Sequence, residues 1–176
     1  MILHRLRFGC LSLGCLSLLA GWWISAAPVE AASASITQAS DLMQDAAQSQ
    51  AIRRPVVLFF TQPGCSYCRI VRHDYFLPML REHTERSERD PVLLREISIT
   101  GQRSVKGLDG HTTSEAALAA RYKVQMTPTV MFIGPDGESL AEPIIGGNHP
   151  DYLRLFERRH EEAAAKIGGK RVHIRH

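Results

Sequence analysis

The chain has 176 residues, of which 44% are hydrophobic and 22% charged, and its formal net charge is +3. This length accommodates one domain with its own core plus a short leader or tail, and the composition is that of a globular protein rather than a disordered, fibrous or membrane-spanning one. Because acidic and basic residues are interleaved, the small net charge does not indicate nucleic acid as a partner.

Residues 1–34 have the three-part layout of a secretory signal peptide. Basic residues at the start are followed by an uncharged apolar run over residues 11–24, and small residues at 25–27 and at 32–34 each fit a cleavage site. We therefore expect export with removal of the signal. The alternative is an uncleaved anchor, since the uncharged run over 8–29 can just span a bilayer, although its apolar core is shorter than a typical transmembrane helix.

Cleavage changes the cysteine count. The chain has four cysteines, and Cys10 and Cys15 are lost with the leader, which leaves Cys65 and Cys68. An exported protein whose two thiols lie in one C-x-x-C has no framework of structural disulfides to build. This pair is therefore the feature from which function is inferred.

A tether, a helix and a strand are predicted at the start of the mature chain. The small polar residues 35–39 are typical of a loose segment. Ser40-Asp41 is a helix start, the amphipathic spacing continues to Ala51, and Pro55 stops the helix. The continuous apolar run from Val56 to Phe60 favours a central strand covered on both faces.

A turn at residues 61–64 leads into a helix predicted to begin at Cys65. Pro78 is expected to kink or end this helix, because proline has no N–H to donate. The stretch 81–90 is predicted to be a charged, solvent-exposed connection. The buried side of the helix is assigned to Ile70, Val71, Tyr75, Phe76 and Leu77.

Residues 92–99 favour a second strand, parallel to the first. The following segment, 101–113, has three glycines and no apolar periodicity. We predict that it is a loop. Ser114 is placed to cap a helix that runs to Tyr122.

A hairpin and a helix close the domain. Residues 129–133 and 139–145 are predicted as two strands joined by a tight turn at 134–137. Asn148 or His149 is expected to cap the last helix. Its first turn is predicted to contain Pro150, and its inner side Tyr152, Leu153, Phe156 and Ala163.

The position of the two thiols predicts redox chemistry. Two cysteines separated by two residues can close a disulfide within one helical turn. If Cys65 lies at a helix N-terminus, the unpaired N–H groups and the helix dipole favour its thiolate. Cys65 is then the thiolate that attacks a substrate disulfide, and Cys68, one turn deeper, is the thiol that resolves the mixed disulfide.

The order of elements and two motifs resemble the thioredoxin superfamily. A strand precedes Cys65-Ser66-Tyr67-Cys68, which opens a helix, and Met126-Thr127-Pro128-Thr129 precedes a strand and hairpin. The resemblance covers about residues 40–165 and implies an α/β thioredoxin fold, a central mixed β-sheet flanked by helices, over residues 35–168. The last residues, 169–176, are predicted to form a basic disordered tail.

Two finer likenesses point to exported members of this family. The long loop and helix ahead of Tyr122-Lys123-Val124 resemble exported thioredoxin-like proteins linked to the oxidation of sulfur compounds. A C-x-Y-C motif together with a threonine before the proline is similar to periplasmic disulfide isomerases. The resemblance therefore implies a periplasmic location.

The resemblance also implies roles around the thiols. Pro128 is expected to be cis, Thr127 to offer its backbone to an extended substrate segment, and Tyr67 to tune the reduction potential and shape the entrance. Two residues depart from the family pattern. Gly64 replaces the tryptophan before the first cysteine, and Phe59 replaces the buried acid that helps the second cysteine lose its proton. Proton transfer at the second cysteine then needs water or another group.

These observations predict a periplasmic thiol-disulfide oxidoreductase that reduces or isomerises disulfides of partner proteins through Cys65 and Cys68. A membrane thiol-reducing system is the expected electron donor. We expect no cofactor and no nucleic acid, and we expect a monomer because no separate dimerisation domain is visible. A disulfide-donating oxidase of the same fold is the alternative, since C-x-x-C does not encode the direction of electron flow.

Other interpretations of the pair stay open. A purely structural disulfide across so short a loop contributes only ~2 kcal/mol. C-x-x-C supplies half of a zinc site, but His73, five residues beyond Cys68, is expected on the far side of the helix. A Cu(I)-binding metallochaperone can use both cysteines and Met126 as soft sulfur ligands, whereas simple packing of Met126 beside the site is the plainer explanation. A binding module without redox chemistry needs neither thiol.

Overall fold

The computed structural model describes residues 35–86 and 92–168. The predicted signal peptide, the predicted basic tail and residues 87–90 of the predicted connection lie outside the described residues. No helix in the described part of the chain is long and apolar enough to cross a membrane.

One mixed sheet organises the described residues. Its strands are β1 (Thr37–Gln38), β2 (Val56–Thr61), β3 (Leu93–Ser98), β6 (Thr129–Ile133) and β7 (Ile144–Ile145), while β4 (Ser104–Lys106) and β5 (Thr112–Ser114) form a separate hairpin. The order in the large sheet is β1-β3-β2-β6-β7. β3 runs parallel to both β1 and β2, and β6 runs antiparallel to β2 and β7.

Helices cover both faces of this sheet. They are α1 (Leu42–Ile52), α2 (Ser66–Ile70), a π-helical turn (Val71–Phe76), α3 (Leu77–Arg86), α4 (Glu115–Arg121) and α5 (Tyr152–Lys166). The five residues of the predicted apolar run are buried in β2, and the strand extends one residue further, to the buried Thr61, which was predicted to lie in the turn. Val57 and Phe59 join one core with residues of α2 and α5, and Leu58 and Phe60 join the other with residues of α1 and α4.

The segment 35–39 is not the loose tether that its composition predicts. Thr37 and Gln38 form β1, which pairs with Arg95 and Glu96 of β3. Ile36 is buried beside this strand. The sequence offers too few residues here for an alternating pattern, so the strand is specified by its pairing with β3. The predicted start of α1 is confirmed, because an oxygen of Asp41 accepts a 3.0 Å hydrogen bond from the Gln44 N–H.

The helix after Cys65 is longer than predicted. It begins at Ser66, and it continues through Pro78 to Arg86, so the prediction that 81–90 is a connection is wrong as far as Arg86. A π-helical turn precedes the proline, and the Leu77 N–H bonds to the Arg72 carbonyl, five residues back. The wider turn accommodates the proline ring, which in a regular helix would clash with the preceding turn.

The segment 101–113 is a hairpin rather than a loop. β4 pairs antiparallel with β5, and Val105 of β4 is completely buried. One buried residue in a three-residue strand produces no periodic signal, so composition alone does not reveal it. The predicted cap of α4 is confirmed, since the Ser114 hydroxyl accepts from the Ala117 N–H.

The predicted closing hairpin is present, although its second strand is shorter than the predicted 139–145. β7 contains only Ile144 and Ile145, and Ser139 adds an isolated bridge to Ile133. Asn148 and His149 do not cap the last helix, and Pro150 lies before it rather than in its first turn. α5 starts after Asp151, whose backbone is left-handed with φ of 57°. As predicted, Tyr152, Phe156 and Ala163 are buried, and Leu153 is half-buried.

Candidate active site

Cys65 and Cys68 form a disulfide at the start of α2. Cys65 is the N-cap residue, with an extended backbone, and its Sγ lies 3.1 Å from the Cys68 N–H that donates to it. Cys65 is half-buried, whereas only 2% of Cys68 is exposed. When the pair is reduced, the N–H groups of the first turn and the helix dipole therefore favour a thiolate on Cys65, the more accessible sulfur.

The Thr127–Pro128 segment lies in a turn before β6. Its peptide bond is cis, and Pro128 is buried while Thr127 is half-buried. The Thr129 hydroxyl donates a 2.8 Å hydrogen bond to the Met126 carbonyl, which closes the turn. The Pro128 carbonyl accepts a 2.8 Å hydrogen bond from the Gly146 N–H.

Gly147 connects this turn to the cysteines, and the sequence analysis did not identify it. A Cβ atom on Gly147 would lie 3.0 Å from the Tyr67 Cβ, 3.1 Å from the Tyr67 carbonyl oxygen and 3.1 Å from Val71 Cγ2. A side chain here would push the chain and α2 apart by a few tenths of an ångström, so glycine allows this close approach without displacement. Gly146 bonds to Pro128 and Gly147 packs on Tyr67, so these two glycines bring the proline turn beside the C-x-x-C.

Exposed apolar side chains lie around the proline turn and the C-x-x-C. Tyr67 is 49% exposed, Met126 is 62% exposed and Ile145 is 51% exposed. Ile145 pairs with Thr129 across the sheet, next to the proline turn. Apolar groups that cluster on a surface are typical of a place where another molecule binds. The predicted site residue Tyr67 is thus brought together with Thr127 and Pro128 around the cysteines.

A polar pocket of about 410 Å³ opens on the other side of the disulfide. Glu96 of β3 lines it together with both cysteines, and only 7% of Glu96 is exposed. Its carboxylate accepts hydrogen bonds from the Thr61 hydroxyl at 2.8 Å and from the Gln38 amide at 3.3 Å, and it forms an ion pair with Arg72. The remaining lining residues are Gln62, Pro63, Gly64, Arg69, His73, Ser98 and Arg103.

Sequence reasoning also missed Glu96. The signal was weak, since Glu96 is one of two charged residues in the predicted strand at 92–99, and the sequence does not show which residue of the neighbouring strand lies beside it. The parallel register pairs Glu96 with Phe59, so both side chains point to the same face of the sheet. The carboxylate therefore comes next to the position where the resemblance places the family's buried acid and this chain has phenylalanine.

A family model described as a thioredoxin-like domain matches residues 42–156. The chain belongs to the thioredoxin-like domain family. The mixed sheet flanked by helices is the thioredoxin fold predicted from the motifs, and the C-x-x-C disulfide occupies the start of its second helix.

Solved structures similar to this thioredoxin-like protein include several thioredoxins. A poplar thioredoxin h is 14% identical, with a TM-score of 0.46, and the match covers 69% of this chain and 95% of that one. Fasciola hepatica thioredoxin is 21% identical, with a TM-score of 0.47 and coverages of 71% and 99%. A Helicobacter pylori thioredoxin-fold protein is 17% identical, with a TM-score of 0.47 and coverages of 66% and 73%. No curated protein sequence matches the chain.

The described residues offer little for a metal. No group of three or more histidine, cysteine, aspartate or glutamate side chains in residues 35–86 and 92–168 is arranged to hold an ion. Met126, the third sulfur of the copper alternative, is mostly exposed. His73 does not lie on the far side of the helix as predicted, because it lines the pocket that Cys68 also lines.

Proposed function

We propose that this protein is a thiol-disulfide oxidoreductase in which Cys65 is the nucleophile and Cys68 the resolving thiol. The observation that carries the proposal is the difference between the two sulfurs. Cys65 is half-buried at the N-terminus of α2, and Cys68 is buried one turn further into the same helix. Membership of the thioredoxin-like family supports the same order of reaction.

The reaction exchanges one disulfide for another. The Cys65 thiolate attacks a substrate disulfide, forms a mixed disulfide and releases the first substrate thiolate. Cys68 then loses its proton and attacks the Cys65 sulfur, which re-forms the Cys65–Cys68 disulfide and releases the second substrate thiolate. The substrate gains two electrons and the protein dithiol loses two.

The substrate is proposed to lie against the proline turn. Thr127 and Pro128 offer their backbone to an extended substrate segment, in the manner of strand addition, and Tyr67 supplies an exposed aromatic face. Met126 and Ile145 extend the apolar surface on either side of the turn. Partner proteins with an accessible disulfide in an extended segment fit this surface.

We place the activity in the periplasm and in the reducing or isomerising direction, with electrons from a membrane thiol-reducing system. The support is the signal-like layout of residues 1–34 and the likeness of the C-x-Y-C and Thr-Pro motifs to exported members of the family. The protein is proposed to act as a monomer.

Trapping of mixed disulfides tests the order of the cysteines. Each purified variant, Cys68→Ser or Cys65→Ser, is reduced and mixed with a protein that contains a disulfide. Cys68→Ser is expected to accumulate a covalent adduct that dithiothreitol releases, because Cys65 attacks and nothing resolves the product. Cys65→Ser is expected to give none. The reverse pattern would exchange the two roles, and no adduct with either variant would return the pair to a structural role.

The reduction potential tests the direction. Equilibration against dithiothreitol or glutathione buffers is expected to give a value near or below about −230 mV, in the range of reducing members of the fold. A value near about −120 mV would instead indicate the disulfide-donating oxidase, with the same residues in the same roles.

A further inference from the structure

The resolving step needs a way to remove a proton from a buried thiol. Only 2% of Cys68 is exposed, and it belongs to the same apolar core as Phe59, Val71 and Phe76. Burial among apolar groups favours the neutral thiol, but only the thiolate attacks a disulfide. A proton acceptor near Cys68 therefore decides how fast the mixed disulfide is resolved.

The pocket beside the disulfide contains five ionisable side chains besides the cysteines, namely Arg69, Arg72, His73, Glu96 and Arg103. The three arginines stay protonated and accept no proton. His73 is exposed on the helix surface, whereas Glu96 is a buried residue of the sheet. Glu96 is thus the buried acceptor in the pocket that Cys68 lines.

Three contacts fix the position of the Glu96 carboxylate in the pocket. The Thr61 hydroxyl and the Arg72 guanidinium both approach Oε1, and the Gln38 amide approaches Oε2. A polar pocket of about 410 Å³ has room for water between this carboxylate and the thiol.

We propose that Glu96 accepts the proton of Cys68 through pocket water during resolution of the mixed disulfide. The inference rests on the proposed function. The S–H bond of Cys68 breaks, and its proton moves through water to the Glu96 carboxylate. The Cys68 thiolate then attacks Cys65, the mixed disulfide breaks, and the departing thiolate or solvent takes the proton from Glu96. Phe59, which pairs with Glu96 in the neighbouring strand, cannot accept a proton, so Glu96 is the acceptor.

A small aromatic disulfide tests the step without a protein substrate. Mixed with the reduced protein in a stopped-flow instrument, it releases one coloured thiolate when Cys65 attacks and a second when Cys68 resolves the adduct. In Glu96→Gln, which keeps the size of the side chain but accepts no proton, the second phase is expected to slow by at least about tenfold near pH 7. The first phase should be unchanged, and the second should recover as pH rises and the thiol ionises unaided.

Two controls separate this role from a structural one. Glu115→Gln alters another buried glutamate, which does not line the pocket although its partner Arg103 does. It therefore controls for a change in the charge of the pocket without a change at Glu96, and it should leave both phases unchanged. His73→Gln should also leave the second phase unchanged. A second phase that slows in His73→Gln but not in Glu96→Gln would overturn the proposal, as would slowing of Glu96→Gln that is independent of pH.

Thr61→Val provides an independent test should Glu96→Gln fail to fold. It removes one hydrogen-bond donor to Oε1 and leaves the carboxylate in place. The carboxylate is then held in place by fewer contacts, so the second phase is expected to slow while the first phase is unchanged. A second phase with the wild-type rate would overturn the role of Glu96. If the second phase responds as expected but protein disulfides are not trapped, only the proposed function is affected.

Discussion

Arg103 and Glu115 form an ion pair in which the two partners are unequally buried. We therefore predict that substitutions of the two residues lower the free energy of unfolding by different amounts. Arg103 Nη2 lies 2.7 Å from Glu115 Oε1, and the side chains are 54% and 2% exposed, respectively. The same carboxylate accepts the Ser98 N–H at 3.1 Å. Gly101 packs directly on it, since a Cβ there would lie 2.1 Å from Oε2. The carboxylate is therefore enclosed while its partner reaches water.

Removing the arginine is expected to cost more than removing the charge of the acid. Arg103→Met keeps an apolar stem but leaves a buried carboxylate with the Ser98 N–H as a partner, which should lower the free energy of unfolding by about 3–5 kcal/mol. In Glu115→Gln the guanidinium turns to solvent, and the loss is limited to the charge-assisted hydrogen bonds, about 1.5–3 kcal/mol. Arg103→Met should thus be the less stable variant.

Urea unfolding of the oxidised wild type and of both variants near pH 7.5 measures the two losses. Equal losses in the two variants, or a larger loss in Glu115→Gln, would refute the argument from burial.

Three further predictions concern the site and the domain that carries it. Gly147→Ala places a Cβ against the Tyr67 backbone, so it should lower stability by about 1–3 kcal/mol in urea unfolding and raise KM for protein disulfides more than it lowers kcat. Tyr152→Phe removes a buried hydroxyl without a partner in the described residues, so it should raise stability by about 1 kcal/mol. Because burial raises the pKa of Tyr152, the variant should also lose less stability above about pH 10, where an unfolded tyrosine ionises. The pKa of Asp41 is lowered by the Gln44 N–H and by Lys106, so its contribution is present above about pH 3.9 and disappears as pH falls through the folded value. Asp41→Ala should therefore be destabilised near pH 7 but approach the wild type near pH 2 in thermal unfolding.

Long apolar runs and the C-x-x-C motif made much of this fold predictable from the sequence. β2 and β6 are fully buried, so each is a continuous apolar run that needs no knowledge of its neighbours. β1 and β4 contain two and three residues, and they exist because other strands pair with them. A pattern that needs several turns or alternations to be visible cannot show such elements.

The same distinction applies to the site. Cys65 and Cys68 are separated by two residues, so the sequence alone predicts that their side chains lie close together. In the structure they form a disulfide at a helix start. The relation between Glu96 and the cysteines depends on the register of β2 with β3, which is set by packing across the whole sheet. Residues joined by register are therefore the ones that motif reasoning leaves out.

The two buried glutamates differ in what they share with the cysteines. Glu115 uses both oxygens on Arg103 and one on the Ser98 N–H, and it lines no pocket with a thiol. Its contacts connect α4 to β3, so its role is structural. Glu96 also pairs with an arginine, but it lines the pocket of the cysteines, where its other partners are the Thr61 hydroxyl and the Gln38 amide. Position in the fold, rather than burial or pairing, therefore distinguishes the acid that we propose as the partner of the resolving thiol.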